Sequence, residues 1–141
     1  LKIFTSEMRQ FVMPLLLSYK TSKTMRKYAW KTLKMSLKWR YLALRMALQA
    51  KRDKDSVGAG SVDFLMFSGY AFMAYMWMQM AAKAEQKLNS AEGDSQFNQD
   101  KLISAEFFFE RYLPQSTAHA KTISANLGSL MDMPNSYFAD S

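Results

Sequence analysis

The chain has 141 residues, no cysteine, 49 % apolar residues and a formal net charge of +7. That length makes one domain with a real core, burying roughly 68–70 % of the unfolded chain's surface. Without cysteine there is no disulfide, zinc–thiolate site or cysteine nucleophile, and three Pro and five Gly among so many apolar residues exclude a disordered chain.

Met, Ala, Leu and Lys are plentiful and β-branched residues few, which favours helix over strand. No signal-peptide pattern opens the chain. Leu1 stands at the start instead of Met, so the sequence reads as a piece of a longer protein or a processed product. The cysteine-free composition fits a reducing compartment, and a cytoplasmic location is expected.

Residues 1–19 carry Phe4, Met8, Phe11, Val12 and Leu15 at helical spacing. Pro14 should kink or end that helix. Thr21 and Ser22 then offer an N-cap for the next one.

Residues 22–53 read as a long helix. Met25, Tyr28, Thr32, Met35, Trp39, Leu42 and Met46 alternate spacings of three and four, the seam of a left-handed bundle. Leu33, Leu37, Leu44 and Leu48 form a second set, which predicts a second neighbour. A third stripe is basic: Lys27, Lys31, Lys34, Lys38, Arg45 and Arg52. From Lys20 to Lys54 there are twelve Lys or Arg against one acid, Asp53. This segment therefore carries the whole positive charge. The stripe reads as a solvated or docking face. Its aromatics, Tyr28, Trp30, Trp39 and Tyr41, are expected to serve the apolar seams. No helix-turn-helix or zinc-finger spacing accompanies it, so nucleic acid is not an expected partner.

Residues 53–60, DKDSVGAG, read as a break made flexible by Gly58 and Gly60. The stretch Val57 to Glu92 is the organising element. From Phe64 to Ala82 it runs nineteen residues without a charge and without Pro, as a helix apolar on nearly every side. That length could span a bilayer. However, it holds one Leu and no Ile or Val, and it includes Ser68, Tyr70, Tyr75 and Gln79. The expectation is a central bundle helix walled in by its partners, with Gly69 admitting one of them closely. Asp63 is expected to stabilise its N-terminal dipole.

Residues 89–96 form the next break. Gly93 suits a helix C-cap and Asp94 or Ser95 the following N-cap. Residues 97–126 form the last helix, with Leu102, Ala105, Phe109, Tyr112, Ser116, Ala120, Ile123 and Leu127 on one stripe. Pro114 deletes the hydrogen bond to the Glu110 carbonyl and should bend the rod. The tail after it holds Leu130, Met131, Tyr137 and Phe138, which could pack back on the bundle.

These elements predict an all-α antiparallel up-and-down four-helix bundle with a short C-terminal tail. The single domain, 1–141, divides into a first helical hairpin 1–56, a second 57–126 and the tail 127–141.

Reactive groups are few. His119 is the one histidine, with no second ligand close in sequence. Glu106 and Glu110 are one turn apart beside Arg111, but no E-x-x-H accompanies them as a di-metal bundle would need. There is no phosphate loop and no nucleophile elbow. No catalytic and no metal-binding residue is assigned, and cofactor-binding residues are not identified.

Three stretches, VGAGSVDFLMFSGYAFMAYMWMQMA, FNQDKLISAEFFFERYLPQS and GSLMDMPNSYF, carry a resemblance. They resemble the extra C-terminal helical domain of one branch of the flavin-dependent acyl-CoA dehydrogenases, the branch similar to 3-methylmercaptopropionyl-CoA dehydrogenases. The matching motifs fall on Asp63 to Leu65, Gly69 to Met80, Lys101 to Pro114 and Leu130 to Phe138. The match runs over residues 57–138 and is only compositional over 1–56. The motifs are packing motifs.

The resemblance implies a parent oxidoreductase, a flavoprotein of fatty acid metabolism. It would oxidise an acyl-CoA to the 2,3-enoyl-CoA with FAD and pass electrons to an electron-transfer flavoprotein. FAD would be held by upstream domains of the same enzyme. The family's catalytic glutamate stretch does not occur here. What is implied for this chain is a structural and oligomerisation module in a homo-oligomer. The alternative is a stand-alone helical module that binds an anionic partner or membrane surface through helix 22–53.

Overall fold

The computed structural model describes residues 2–19, 21–52 and 55–125, and their side chains except those of 52, 55–57 and 59. The described chain is helical: α1 (Lys2–Leu17), α2 (Lys23–Arg52), α3 (Asp55–Asn89), α4 (Ser95–Phe107) and α5 (Ser116–Ser124). A π-helical turn, Phe108–Tyr112, and a 3-10 turn, Leu113–Gln115, join α4 to α5 as one interrupted rod. The predicted tail, with Leu127, lies outside the described residues.

Local signals set most of the ends. The Ser22 hydroxyl accepts from the Met25 amide at 3.2 Å and caps α2. The Asp94 carboxylate accepts from the amides of Gln96, at 2.9 Å, and Phe97, at 3.3 Å, and caps α4. Pro14 does not stop α1 at once. The helix runs three residues further, and the Ser18 amide still donates to the Pro14 carbonyl at 2.9 Å. Proline lacks only its own donor, so the turns after it can complete.

Two breaks differ from expectation. Gly58 and Gly60 lie inside α3, which begins at Asp55, and residues 53 and 54 of the expected break lie outside the described residues. A few helix-compatible glycines cost less than the rest of a 35-residue helix supplies. At the other end, the left-handed residue is Ala91, with φ 54°. The Glu92 amide donates to the Lys87 carbonyl across it at 2.9 Å, the long bond of a Schellman ending. Gly93, with φ 74°, adds a second left-handed step before Asp94.

The rods run up, down, up and down. Aromatic pairs fix the registers: Phe4 on Trp39 at 5.8 Å for α1 on α2, and Trp77 on Phe108 at 6.3 Å for α3 on the last rod. Met25, Tyr28, Thr32, Met35 and Leu42 of the predicted seam are buried. They face Phe67, Tyr70, Ala71, Ala74 and Met78 of α3, all in the same core. Small side chains at Ala71, Ala74 and Ala81 let α3 approach its neighbours closely.

The cross-section is a rhombus. α2 and α3 pack together across its short diagonal, with α1 on one side of the pair and the α4–α5 rod on the other. α2 also reaches the last rod directly, through Tyr28 stacked on Phe109 at 4.4 Å. Among the described residues no helix covers the outer side of either central rod. The nineteen-residue uncharged run is therefore not walled in all round. Val62, Leu65, Met66, Phe72, Met73 and Met76 of α3 are exposed. A Cβ built on Gly69, in the middle of that stripe, meets nothing within 4 Å. On α2, Leu37, Leu44, Leu48, Trp30 and Tyr41 are exposed, so the predicted second neighbour is absent among the described residues. A rhombus gives its two central rods three neighbours each, and among the described residues the fourth side of each stays open.

Candidate functional site

Among the described residues the π turn is the most unusual stretch of backbone, and it stands beside Pro114. Pro114 has no N–H. The Leu113 amide donates five residues back, to the Phe108 carbonyl, and so skips Phe109. The Phe109 carbonyl loses its α-helical donor to this skip and its π-helical donor to proline. Lys31 of α2 fills the gap: its Nζ donates to the Phe109 carbonyl at 3.0 Å. The same Nζ lies 3.0 Å from Glu110 Oε1, and Lys27 Nζ lies 2.9 Å from it. Hydrogen bonds from Lys27 and then Lys31 hold the Glu110 carboxyl below the usual carboxylate range.

The inserted residue also shifts the face of the rod. Phe109 and Leu113 are buried while Tyr112, expected on the inner stripe, turns out and packs on Phe107 at 5.5 Å. Tyr28, stacked on Phe109, has its phenol pushed up to about 12. Burial is the main cause, with Glu106 and Glu110 adding to it. Glu106 and Glu110 thus both act on Tyr28, and Glu110 also pairs with the two lysines. Among the described residues no group of His, Cys, Asp or Glu is placed to hold a metal ion.

His119 and Asp63 meet, which sequence spacing did not reveal. His119 Nδ1 lies 2.7 Å from Asp63 Oδ1, and both side chains are about three-quarters covered. The reading of Asp63 as a dipole residue at the start of α3 is corrected. α3 begins eight residues earlier, so Asp63 sits in its third turn and faces α5. Tyr70 lies against the His119 ring, 5.9 Å between centroids, and its hydroxyl donates to Gln115 Oε1 at 3.0 Å. A His–Asp pair can move a proton if a substrate reaches it. Here it ties α3 to α5. Ser68 has a matching role toward α2: its hydroxyl accepts from Trp39 Nε1 at 2.7 Å and donates to the Phe64 carbonyl at 2.7 Å. Ser68 and Tyr70 of the uncharged run are thus hydrogen-bonded cross-links between rods.

One sizeable cleft opens elsewhere, between α1 and the end of α3. Its volume is about 970 Å³, and Phe11, Pro14, Leu15 and Ala82 line it beneath Gln10 and Gln86. Lys83 and Glu85 are its charged groups, one of each sign. Neither His119 nor Asp63 borders it.

No helix among the described residues is long and apolar enough to cross a membrane. Comparison with curated proteins finds no match. The model of the family described as acetyl-CoA dehydrogenase C-terminal like matches residues 4–134, which extends the resemblance over the first two helices as well. The chain belongs to that family of C-terminal acyl-CoA dehydrogenase domains.

Proposed function

We propose that this chain is the structural and oligomerisation module of an FAD-dependent acyl-CoA dehydrogenase, of the branch similar to 3-methylmercaptopropionyl-CoA dehydrogenases. The parent enzyme oxidises an acyl-CoA to the 2,3-enoyl-CoA in the cytoplasm, and this domain packs its α3 face on upstream domains or on another subunit. The observation that supports the reading is the open side of α3. From Val62 to Met76 it offers Leu65, Met66, Met73 and an uncovered Gly69 with no charge between Phe64 and Ala82. A continuous exposed apolar stripe of that length is the mark of an interface.

The described residues do not fit a flavin by themselves. The cleft beside α1 pairs its one cation with an acid, so a pyrophosphate gains no net charge there. FAD and acyl-CoA belong to the other domains of the parent enzyme.

The test is Leu65→Glu with Met73→Glu in the full-length enzyme. Both positions are exposed, so the domain should keep its circular dichroism. The expected result is a smaller species in sedimentation velocity and a fall in bound flavin absorbance. Native size, flavin content and turnover in the double variant would sink the reading.

A further inference from the structure

The outer side of α2 differs in kind from that of α3. Trp30, Leu37, Tyr41, Leu44 and Leu48 stand between 49 and 61 % exposed. Their spacing puts them along one line of the helix, a ridge about 27 Å long. Lys34 and Lys38 flank the ridge on one side, Arg40 and Lys51 on the other. α2 holds no acid between Lys23 and Arg52. Glu110 answers Lys27 and Lys31, but among the described residues no carboxylate lies within 4.0 Å of Lys34, Lys38, Arg40 or Lys51.

We propose that this side of α2 docks on the surface of an anionic lipid bilayer. The helix lies in the interface plane, with the leucines at the level of the upper acyl chains and the cations among acidic headgroups. An apolar ridge with cations on both flanks is complementary to such a plane along its whole length. Trp30 and Tyr41 supply rings of the type that settle at that depth. Lys34 Nζ sits 5.6 Å from the centre of the Trp30 ring and can reach headgroups while its stem covers the ring. A nucleic acid would answer the cations but leave three leucines facing phosphate and water. A protein partner would need an apolar groove bordered by carboxylates on both rims, a narrower requirement than a lipid surface imposes. The arrangement is peripheral and does not need a spanning helix.

The experiment uses the native full-length protein and floated vesicles. One set is phosphatidylcholine alone, the other contains about 30 mol % phosphatidylserine. Flotation is expected with the anionic set only, and it should weaken as salt rises from roughly 0.05 to 0.5 M. Leu44→Ser with Leu48→Ser touches only exposed side chains and should lower partitioning by about tenfold with unchanged circular dichroism. Brominated acyl chains should quench tryptophan fluorescence in the wild type, and Trp30→Phe should remove most of that quenching. Absence of flotation with anionic vesicles overturns the proposal. Equal binding by the double leucine variant does so too, because adsorption would then be by charge alone. Cross-links from Lys38 to a protein surface without any flotation would overturn it in favour of a protein partner.

Discussion

Lys31 is the residue on which the last rod's interruption rests. It is the donor for a carbonyl that the Leu113 amide passes over and that Pro114, without an N–H, cannot serve, and it brings a charge to Glu110 as well. Lys31→Met keeps the stem and removes both roles. The expected loss is about 1–2 kcal/mol in urea unfolding, because a partly buried carbonyl is left without a donor. Glu110 alone, being well exposed, should matter less. Tyr28 supplies a second residue-level test. Its folded pKa is raised above the unfolded value of about 10, so the folded state holds the phenol proton longer. Stability from this group is complete below pH 10 and is lost as pH rises from there to about 12. Relative to Tyr28→Phe, the wild type should lose on the order of 2 kcal/mol across that window, read from unfolding midpoints at each pH.

The ends and insertions of elements decide more than their middles. Ala91 holds a left-handed conformation that an alanine adopts at a cost, with the Schellman bond closing over it. Ala91→Gly should stabilise the chain by about 0.5–1 kcal/mol in chemical denaturation, provided α3 ends as it does here. The same element scale shows what a sequence can disclose. The buried seam of α2 from Met25 to Leu42 was legible because a spacing of three and four survives in an uninterrupted helix. The caps at Ser22 and Asp94 were legible because their bonds are local. The inward stripe of the last rod was legible at Ala105 and Phe109 and again at Ser116, Ala120 and Ile123, all buried, but not at Tyr112 between them. Pro114 marks a lost hydrogen bond, but whether the chain answers by kinking or by inserting a residue depends on Lys31, which is distant in sequence. Tyr112 was misplaced for that reason. Asp63 with His119 was illegible on similar grounds. One antiparallel register serves Trp77 with Phe108, Tyr70 with Gln115 and Asp63 with His119, and that register appears only when two rods are laid side by side.

For the molecule as a whole, helix content fixed the class and rod placement fixed the surfaces. An evenly apolar helix does not announce which of its sides will lack a neighbour. The rhombic arrangement answers that question, and it assigns unequal stability to the rods. α3 packs heavily on both α2 and the last rod, and the last rod also reaches α2. α1 packs along α2 and meets α3 mainly through Phe4 and Phe11. Amide hydrogen exchange should therefore release α1 first, with the Phe67–Met78 stretch of α3 the slowest. Uniform protection across the four rods would contradict the arrangement.

The open sides of α2 and α3 point away from each other, so the domain is a plate with two unlike surfaces. A body resting on one is held about 20 Å, two helix diameters, from a body resting on the other. That gap is insensitive to rod length. It answers instead to side-chain bulk between the central pair, where Ala71 and Ala74 now sit. Larger residues there would thicken the plate and shift whatever it separates.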